Sequence, residues 1–162
     1  MAYTAAVITV SDSCSRGENT DTSGPRITRM LKAEGYDVTY ASLVPDDKDA
    51  ISLELIKCAD KLRCDLVFTT GGTGFSRRDV TPEATLAVIE RETPGIPEAM
   101  RHESLKITPR AMLSRSAAGL RGDTLIINLP GSEKAAAENL QAVIATLEHA
   151  IIMLRGGGHG AR

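Results

Sequence analysis

Aromatic residues, long apolar runs and a net charge of one sign are all scarce or missing in this chain. Only 3% of the 162 residues are aromatic and none is tryptophan, so the core must be built from aliphatic side chains. The formal net charge is −2, which excludes a domain-wide basic surface for nucleic acid. No apolar run approaches the roughly 20 residues needed to cross a bilayer. We therefore expect partners other than nucleic acid or a membrane.

Cysteine and histidine are also too few and too scattered to suggest a disulfide or a metal site. Cys14, Cys58 and Cys64 are odd in number, and no two of them have C-x-x-C spacing. The three histidines match neither a metal-ligand pattern nor a catalytic triad. Residues 1–10 lack the charged region and cleavage site of a signal peptide. These features predict free thiols and a cytoplasmic protein.

Short apolar runs alternate with amphipathic segments along the chain. Strands are predicted at residues 3–10, 37–44, 65–70, 114–118 and 124–129. Helices are predicted to begin at Pro25, after Asp47, near Pro97 and after Ser132, and another is predicted over residues 82–91. Residues 11–24 are predicted to form a loop. This alternation predicts an α/β sandwich with a mostly parallel sheet. We expect one domain over residues 1–155 and a flexible glycine-rich tail at residues 156–162.

The most informative stretch is residues 69–85, which read TTGGTGFSRRDVTPEAT. A strand leads into the glycine loop, residues 71–74, and Thr81 with Pro82 predicts a capped helix start. Successive N–H groups of such a loop can bind an anion. The loop is not a Walker A motif, and Arg77 occupies the third glycine position of G-x-G-x-x-G. Phosphate is therefore favoured over a nicotinamide cofactor, and a tight turn without a ligand is the alternative.

Two aspartates lie next to the predicted strand ends. Asp79 follows Arg77 and Arg78, and an aspartate beside a phosphate loop suits Mg²⁺. The two arginines would neutralise charge on a transferred phosphoryl group, or they are ordinary surface residues. Asp47 fits as the cap of the following helix, which leaves Asp46 free for metal binding or acid–base work. Helix capping or solvation is the alternative role for each aspartate.

Polar segments follow two further strands. Ser11 and Asp12 come after the first strand, and residues 130–132 come after the last. Because parallel strands end at one edge of a sheet, we expect all these loops to converge on one site. A helix N-terminus, the Ser132 hydroxyl and Lys134 could receive a second anion there. The alternative is an ordinary helix start with Ser132 as its cap.

Five segments of the chain match the sequence pattern of a known family. They are residues 10–12, 69–85, 94–101, 113–115 and 128–132. Through them the chain resembles the molybdopterin adenylyltransferases of molybdenum cofactor biosynthesis, including the G domain of gephyrin. The resemblance implies a three-layer sandwich with helices on both faces of the sheet, and a homotrimer. It implies Mg²⁺, with ATP and molybdopterin as substrates. The terminal phosphate of molybdopterin would attack the α-phosphate of ATP, giving adenylylated molybdopterin and pyrophosphate, with hand-over to a molybdenum-insertion protein.

The resemblance also implies the roles of individual residues. Asp46 and Asp79 would be the catalytic aspartates, organising Mg²⁺ or the transition state without acting as nucleophiles. The phosphate and substrate contacts predicted from the motifs and the resemblance together are Ser11, Asp12, Gly71, Gly72, Thr73, Gly74, Ser76, Arg78, Thr81, Pro130, Gly131, Ser132 and Lys134. A non-catalytic molybdopterin-binding paralogue is the alternative, and the presence of both aspartates favours the enzyme. An oxidoreductase is disfavoured by the glycine spacing.

Overall fold

The computed structural model describes residues 2–157. Its strands are β1 Thr4–Val10, β2 Asp37–Val44, β3 Leu66–Thr70, β4 Arg91–Glu92, β5 Ala118–Arg121 and β6 Thr124–Leu129. Its α-helices are α1 Asp12–Ser15, α2 Ser23–Ala33, α3 Lys48–Ile56, α4 Thr81–Leu86, α5 Gly95–Leu105 and α6 Glu133–Leu154. A π-helical segment, Lys57–Lys61, continues α3, and a short 3-10 helix spans Pro109–Leu113.

The strands form one six-stranded sheet in the order β2-β1-β3-β6-β5-β4. Strands β2, β1, β3 and β6 run parallel. Beyond β6 the sheet continues with β5, which is antiparallel to β6, and β4, which is antiparallel to β5. The predicted, mostly parallel sheet is therefore confirmed. Its four parallel strands place their carboxyl ends along one edge of the sheet.

Helices cover both faces of the sheet. Successive residues of a strand point to opposite faces, and in the central strands both sets of side chains are apolar and buried. Val7 and Phe68 belong to a buried cluster that includes side chains of α2, α5 and α6. Ile8 and Val67 belong to a second cluster with side chains of α3 and α4. Strands buried on both faces need near-continuous apolar runs, which the central strands have. The expected three-layer sandwich is confirmed.

Two predicted boundaries near the site are wrong. Residues 11–24 contain the single helical turn α1, which forms because Ser11 Oγ accepts the N–H of Cys14 at 3.2 Å. The helix predicted over residues 82–91 ends at Leu86. The chain turns away there because Glu90 N–H donates to Leu120 O at 2.7 Å, which begins the pairing of β4 with β5.

The strand predicted at residues 114–118 is also misplaced, since β5 begins at Ala118. Residues 114–116 are instead held by a side chain. Arg101 Nη1 donates to the carbonyl oxygens of Ser114 and Ser116 at 3.3 and 3.1 Å. Hydrogen bonds from a side chain on another helix cannot be predicted from the apolar pattern of residues 114–118.

Helix α6 runs from the carboxyl edge of the sheet to the opposite edge. Its end is closed by Gly156 and Gly157, whose N–H groups donate to the carbonyl oxygens of Met153 and Ile152. Beyond the helix, Arg155 pairs with Asp65, just before β3. The tail predicted at residues 156–162 lies outside the described residues from residue 158 onward. Within residues 2–157, no helix combines the length and apolar character needed to span a bilayer.

Candidate active site

The loops that follow the parallel strands meet at the carboxyl edge of the sheet. Thr70 Oγ1, at the end of β3, donates to the carbonyl oxygen of Pro130 at 2.6 Å. Gly71 N–H donates to Leu129 O at 3.1 Å, so the glycine loop is tied to the turn after β6. The structure thus brings together segments that are about 60 residues apart in the chain.

Two aspartates join the loops after β1 and β2. Asp12 N–H donates to Asp46 Oδ2, and Asp46 N–H donates to Asp12 Oδ1, both at 2.9 Å. Arg78 connects the segment after the glycine loop to these two loops, since its Nε and Nη2 donate to the two oxygens of Asp12 at 3.0 Å. Because the Arg78 side chain is 64% exposed, its guanidinium still faces solvent.

The pKa values of the Asp12 and Asp46 carboxylates shift in opposite directions. The Arg78 guanidinium lowers the pKa of Asp12. Burial raises the pKa of Asp46, and the nearby charges of Asp12 and Asp79 raise it further. None of the hydrogen bonds found within residues 2–157 uses Asp46 Oδ1. Asp46 is therefore a half-buried carboxylate with one free oxygen, and a nearby cation would favour its charged form.

The glycine loop has a backbone that only glycine accommodates well. Gly71 and Gly72 have φ angles of 111° and 70°. A Cβ at Gly71 would overlap Val10 O, and a Cβ at Gly72 would overlap Thr81 Oγ1 and lie 3.1 Å from Asp46 Oδ1. Within the described part of the chain, the N–H groups of residues 72–74 donate to no protein acceptor. They are available to an anion.

Thr81 has a buried hydroxyl that finds no hydrogen-bond partner within residues 2–157. Its N–H donates to Gly72 O at 3.1 Å, so the residue lies against the glycine loop. The prediction that Thr81 caps its helix is wrong. Thr81 is the first residue of α4, the cap position falls on Val80, and the hydroxyl lies next to Gly72. An unpaired buried hydroxyl and a free carboxylate oxygen thus flank the same small niche.

Asp79 lies next to Gly74 of the glycine loop. Its Oδ2 accepts the N–H of Ser76 at 2.9 Å and lies 3.0 Å from where a Cβ of Gly74 would be. Asp79 therefore closes the turn formed by residues 76–79 and does not cap α4. Within residues 2–157, no group of three or more His, Cys, Asp or Glu side chains is arranged to hold a metal.

Arg115 contacts the same loop, and sequence reasoning assigned it no role. Its N–H donates to Thr73 O at 2.9 Å, and its Nε donates to Gly74 O at 2.8 Å. Its Nη2 donates to Asp79 O at 2.8 Å, and its Nη1 donates to both oxygens of Glu83 at 2.9 Å. The only hint in the sequence is that Arg115 ends one of the segments that carry the resemblance.

The turn after β6 contributes less polar contact than expected. Ser132 Oγ accepts Ala135 N–H at 3.2 Å, so Ser132 caps α6, as the alternative interpretation predicts. Gly131 packs against Gly71, since a Cβ there would lie 3.3 Å from Gly71 Cα. Lys134 has an 84% exposed side chain and lines a separate cleft of about 880 Å³ beside α2, together with Arg26. Its predicted anion contact would therefore need a ligand that reaches this cleft.

A smaller cleft opens directly beside the glycine loop. It has a volume of about 280 Å³, and Thr73, Gly74 and Pro130 line it on the loop side. Arg101 and Asn139 line it on the helix side. The site therefore has room for more than one phosphate group.

Comparisons with known proteins identify the family. A sequence-family model described as "Probable molybdopterin binding domain" matches residues 6–149. The molybdopterin adenylyltransferase of Helicobacter pylori is 43% identical over 152 residues, which cover 93% of this chain and 86% of that protein. The chain belongs to this family. The resemblance inferred from the motifs is thereby confirmed.

Other members of the molybdopterin-binding family show the same fold and a range of lengths. The molybdopterin biosynthesis enzyme MoaB of Thermus thermophilus is 45% identical, with a TM-score of 0.90 over 95% of this chain and 97% of that one. The molybdenum cofactor synthesis protein cinnamon of Drosophila melanogaster is 46% identical over 155 residues. These cover 94% of this chain but 26% of cinnamon, so the chain spans about a quarter of that relative.

Proposed function

We propose that this chain is a molybdopterin adenylyltransferase, a nucleotidyltransferase that moves AMP from ATP to molybdopterin. An oxygen of the terminal phosphate of molybdopterin attacks the α-phosphorus of ATP, and the bond to the leaving pyrophosphate breaks. One observation carries the proposal: Asp46 lies next to Gly72, and Asp79 next to Gly74, of a glycine loop with free N–H groups. The 43% identity to the Helicobacter pylori enzyme, over most of both chains, supports it.

The chain contributes binding and orientation, which are the main requirements of phosphoryl transfer. The N–H groups of residues 72–74 bind phosphate oxygens at a site where the backbone is fixed by two neighbouring loops. Arg78 neutralises negative charge on the transferred group from its exposed position beside Asp12. Ser11, Ser76 and the turn at residues 130–132 complete the proposed substrate contacts.

The residues also fit a Mg²⁺ ion. Asp46 Oδ1 and Thr81 Oγ1 are unpaired oxygens beside the niche at Gly72, and Mg²⁺ prefers oxygen ligands. Two carboxylates are enough, since Mg²⁺ sites commonly combine one or two of them with phosphate oxygens and water. Asp46 and Asp79 would hold the ion, which when bound would neutralise charge on the phosphates of ATP.

Three further proposals come from the family resemblance. The protein would form a homotrimer, would act in the cytoplasm, and would pass its product to a molybdenum-insertion protein. Light scattering on the purified protein tests the first of these. A mass three times that of one chain is expected, and a monomer would contradict it.

The reaction itself is tested by mass spectrometry. Wild-type protein, molybdopterin, ATP and Mg²⁺ are expected to give adenylylated molybdopterin and pyrophosphate, and Asp79→Ala to lose most turnover. Asp123→Ala is the matched control, because Asp123 is an exposed aspartate in the turn between β5 and β6. Wild-type protein that binds molybdopterin but forms no product would overturn the proposal in favour of a binding paralogue.

A further inference from the structure

We propose that Arg115 is the positioning residue that fixes the segment carrying Asp79, and that it thereby sets the Mg²⁺ requirement of the reaction. This inference rests on the proposed function, since it concerns the same site. The guanidinium hydrogen bonds of Arg115 go to Glu83 and to two backbone carbonyl groups. Arg115 acts through the carbonyl groups of Gly74 and Asp79.

The guanidinium of Arg115 joins the start and the end of one exposed loop. Nε holds the carbonyl of Gly74 and Nη2 holds the carbonyl of Asp79, both at 2.8 Å. Residues 75–78 between these two points are exposed. A planar fork of N–H donors can hold two carbonyls in a fixed relation, which a single ammonium cannot reproduce. One side chain therefore links the two ends of the loop.

The same contacts define where the Asp79 carboxylate lies. Its side chain is held by Ser76 N–H at 2.9 Å, and its own N–H donates to Ser76 O at 3.0 Å. Both of these bonds are internal to the turn at residues 76–79. Arg115 supplies the bond from Asp79 to the rest of the fold at its backbone carbonyl. Within residues 2–157, the turn without the Arg115 guanidinium keeps only its internal bonds and the pairing of Arg78 with Asp12.

Arg115 is itself fixed from two sides. Glu83, in the first turn of α4, accepts from Nη1 with both carboxylate oxygens at 2.9 Å. Arg101, on α5, donates to the carbonyls of Ser114 and Ser116, which flank Arg115 in the chain. The loop is thus attached to two helices through one arginine, and such support is what keeps a catalytic carboxylate in place.

Arg121 provides a matched control. Its Nε and Nη2 donate to Asp60 at 3.0 and 2.7 Å, and its Nη1 donates to the carbonyl of Val88 at 2.7 Å. Like Arg115, it combines a paired carboxylate with a backbone carbonyl, and its side chain is 25% exposed against 36% for Arg115. It contacts none of the residues of the glycine loop. Arg121→Lys therefore reproduces the loss of a fork without touching the site.

The test compares Arg115→Lys with Arg121→Lys in three measurements. Thermal unfolding is expected to change similarly in both variants. Hydrogen exchange of the Ser76 and Asp79 N–H groups, which are hydrogen-bonded within the turn, is expected to become faster in Arg115→Lys only. The Mg²⁺ concentration for half-maximal adenylyl transfer is expected to rise at least about tenfold in Arg115→Lys only, because small displacements of catalytic groups are costly.

Unchanged loop exchange and Mg²⁺ dependence in Arg115→Lys would overturn the proposal, and so would equal changes in Arg121→Lys. Faster loop exchange in Arg115→Lys alone, with a wild type that forms no product, would support the loop attachment and reject the proposed function. If Arg115→Lys fails to fold, Glu83→Gln replaces it. That variant keeps the guanidinium but weakens its anchor, so a smaller shift in the same direction is expected.

Discussion

Asp46 is the carboxylate of the site whose pKa is raised in the folded protein. Burial raises its pKa, so its charged form is less favourable in the folded protein than in the unfolded chain. A raised pKa contributes stability only at low pH, and that contribution is lost as the pH rises through the folded-state pKa. At neutral pH, the ionised Asp46 therefore weakens the fold while remaining available to a cation.

Replacing Asp46 with asparagine should separate stability from function. Asp46→Asn removes the charge but keeps an oxygen that can accept Asp12 N–H, so the unfolding midpoint should rise at pH 7 and turnover should be lost. The gain in midpoint should shrink as the pH is lowered through the raised pKa of Asp46. Calorimetry at several pH values measures this. Asp47→Asn is the control, because Asp47 caps α3 from an exposed position and asparagine caps equally well.

If the unfolding midpoint of Asp46→Asn does not rise at pH 7, the ionised Asp46 side chain does not destabilise the folded protein. A gain of the same size in Asp47→Asn would show that the effect reflects net charge alone.

Gly72 offers a second test at the scale of one residue. Gly72→Ala should abolish the binding of Mg²⁺ and ATP, because its methyl group would fill the niche between Thr81 Oγ1 and Asp46 Oδ1. Gly35→Ala is the matched control, since Gly35 also has a positive φ but no atom of residues 2–157 lies within 4 Å of its Cβ position. Both variants should lose about 1 kcal/mol of stability from the backbone conformation, and Gly72→Ala should lose more because its methyl group overlaps Thr81 Oγ1. Calorimetric titration with Mg²⁺ and ATP measures the binding, and wild-type affinity in Gly72→Ala would refute the niche as the ligand site.

At the scale of secondary structure, the start of α6 has two possible uses that one substitution distinguishes. Ser132 caps the helix, and its predicted role is to receive a phosphate. Ser132→Asp keeps a capping oxygen and suits the helix dipole, so stability should hold. The added charge should repel a phosphate and weaken molybdopterin binding at least about tenfold.

Ser132→Asn is the neutral cap of similar size and should keep both stability and binding. Affinity is measured by titration, and stability by thermal unfolding of the same samples. Wild-type affinity in Ser132→Asp would mean that Ser132 serves the helix alone.

At the scale of the whole molecule, much of the architecture could be predicted from local patterns. The near-continuous apolar runs of β1, β3 and β6 require burial on both faces, which only a layered α/β fold provides. The cap at Asp47 was predictable because capping depends on neighbours three residues away. The glycine loop was predictable because no other residue fits its backbone conformation.

Other parts of the site depend on contacts that no local pattern encodes. Arg115 reaches Glu83, Asp79 and Gly74 across 32, 36 and 41 residues of chain. The unpaired hydroxyl of Thr81 depends on how closely Gly72 approaches it, and local rules instead favour a helix cap. Within residues 2–157, the short strand β4 pairs only with β5, and β5 pairs with β4 and β6, so their bounds follow from the sheet.

Helix α6 has a practical consequence for any experiment that immobilises or labels the protein. Its 22 residues extend about 33 Å, from Ser132 at the site to the Arg155–Asp65 pair at the opposite edge of the sheet. The backbone at Gly157 therefore leaves the described structure far from the glycine loop. A surface tether, fluorophore or affinity handle attached after this helix should leave the binding measurements described above unobstructed.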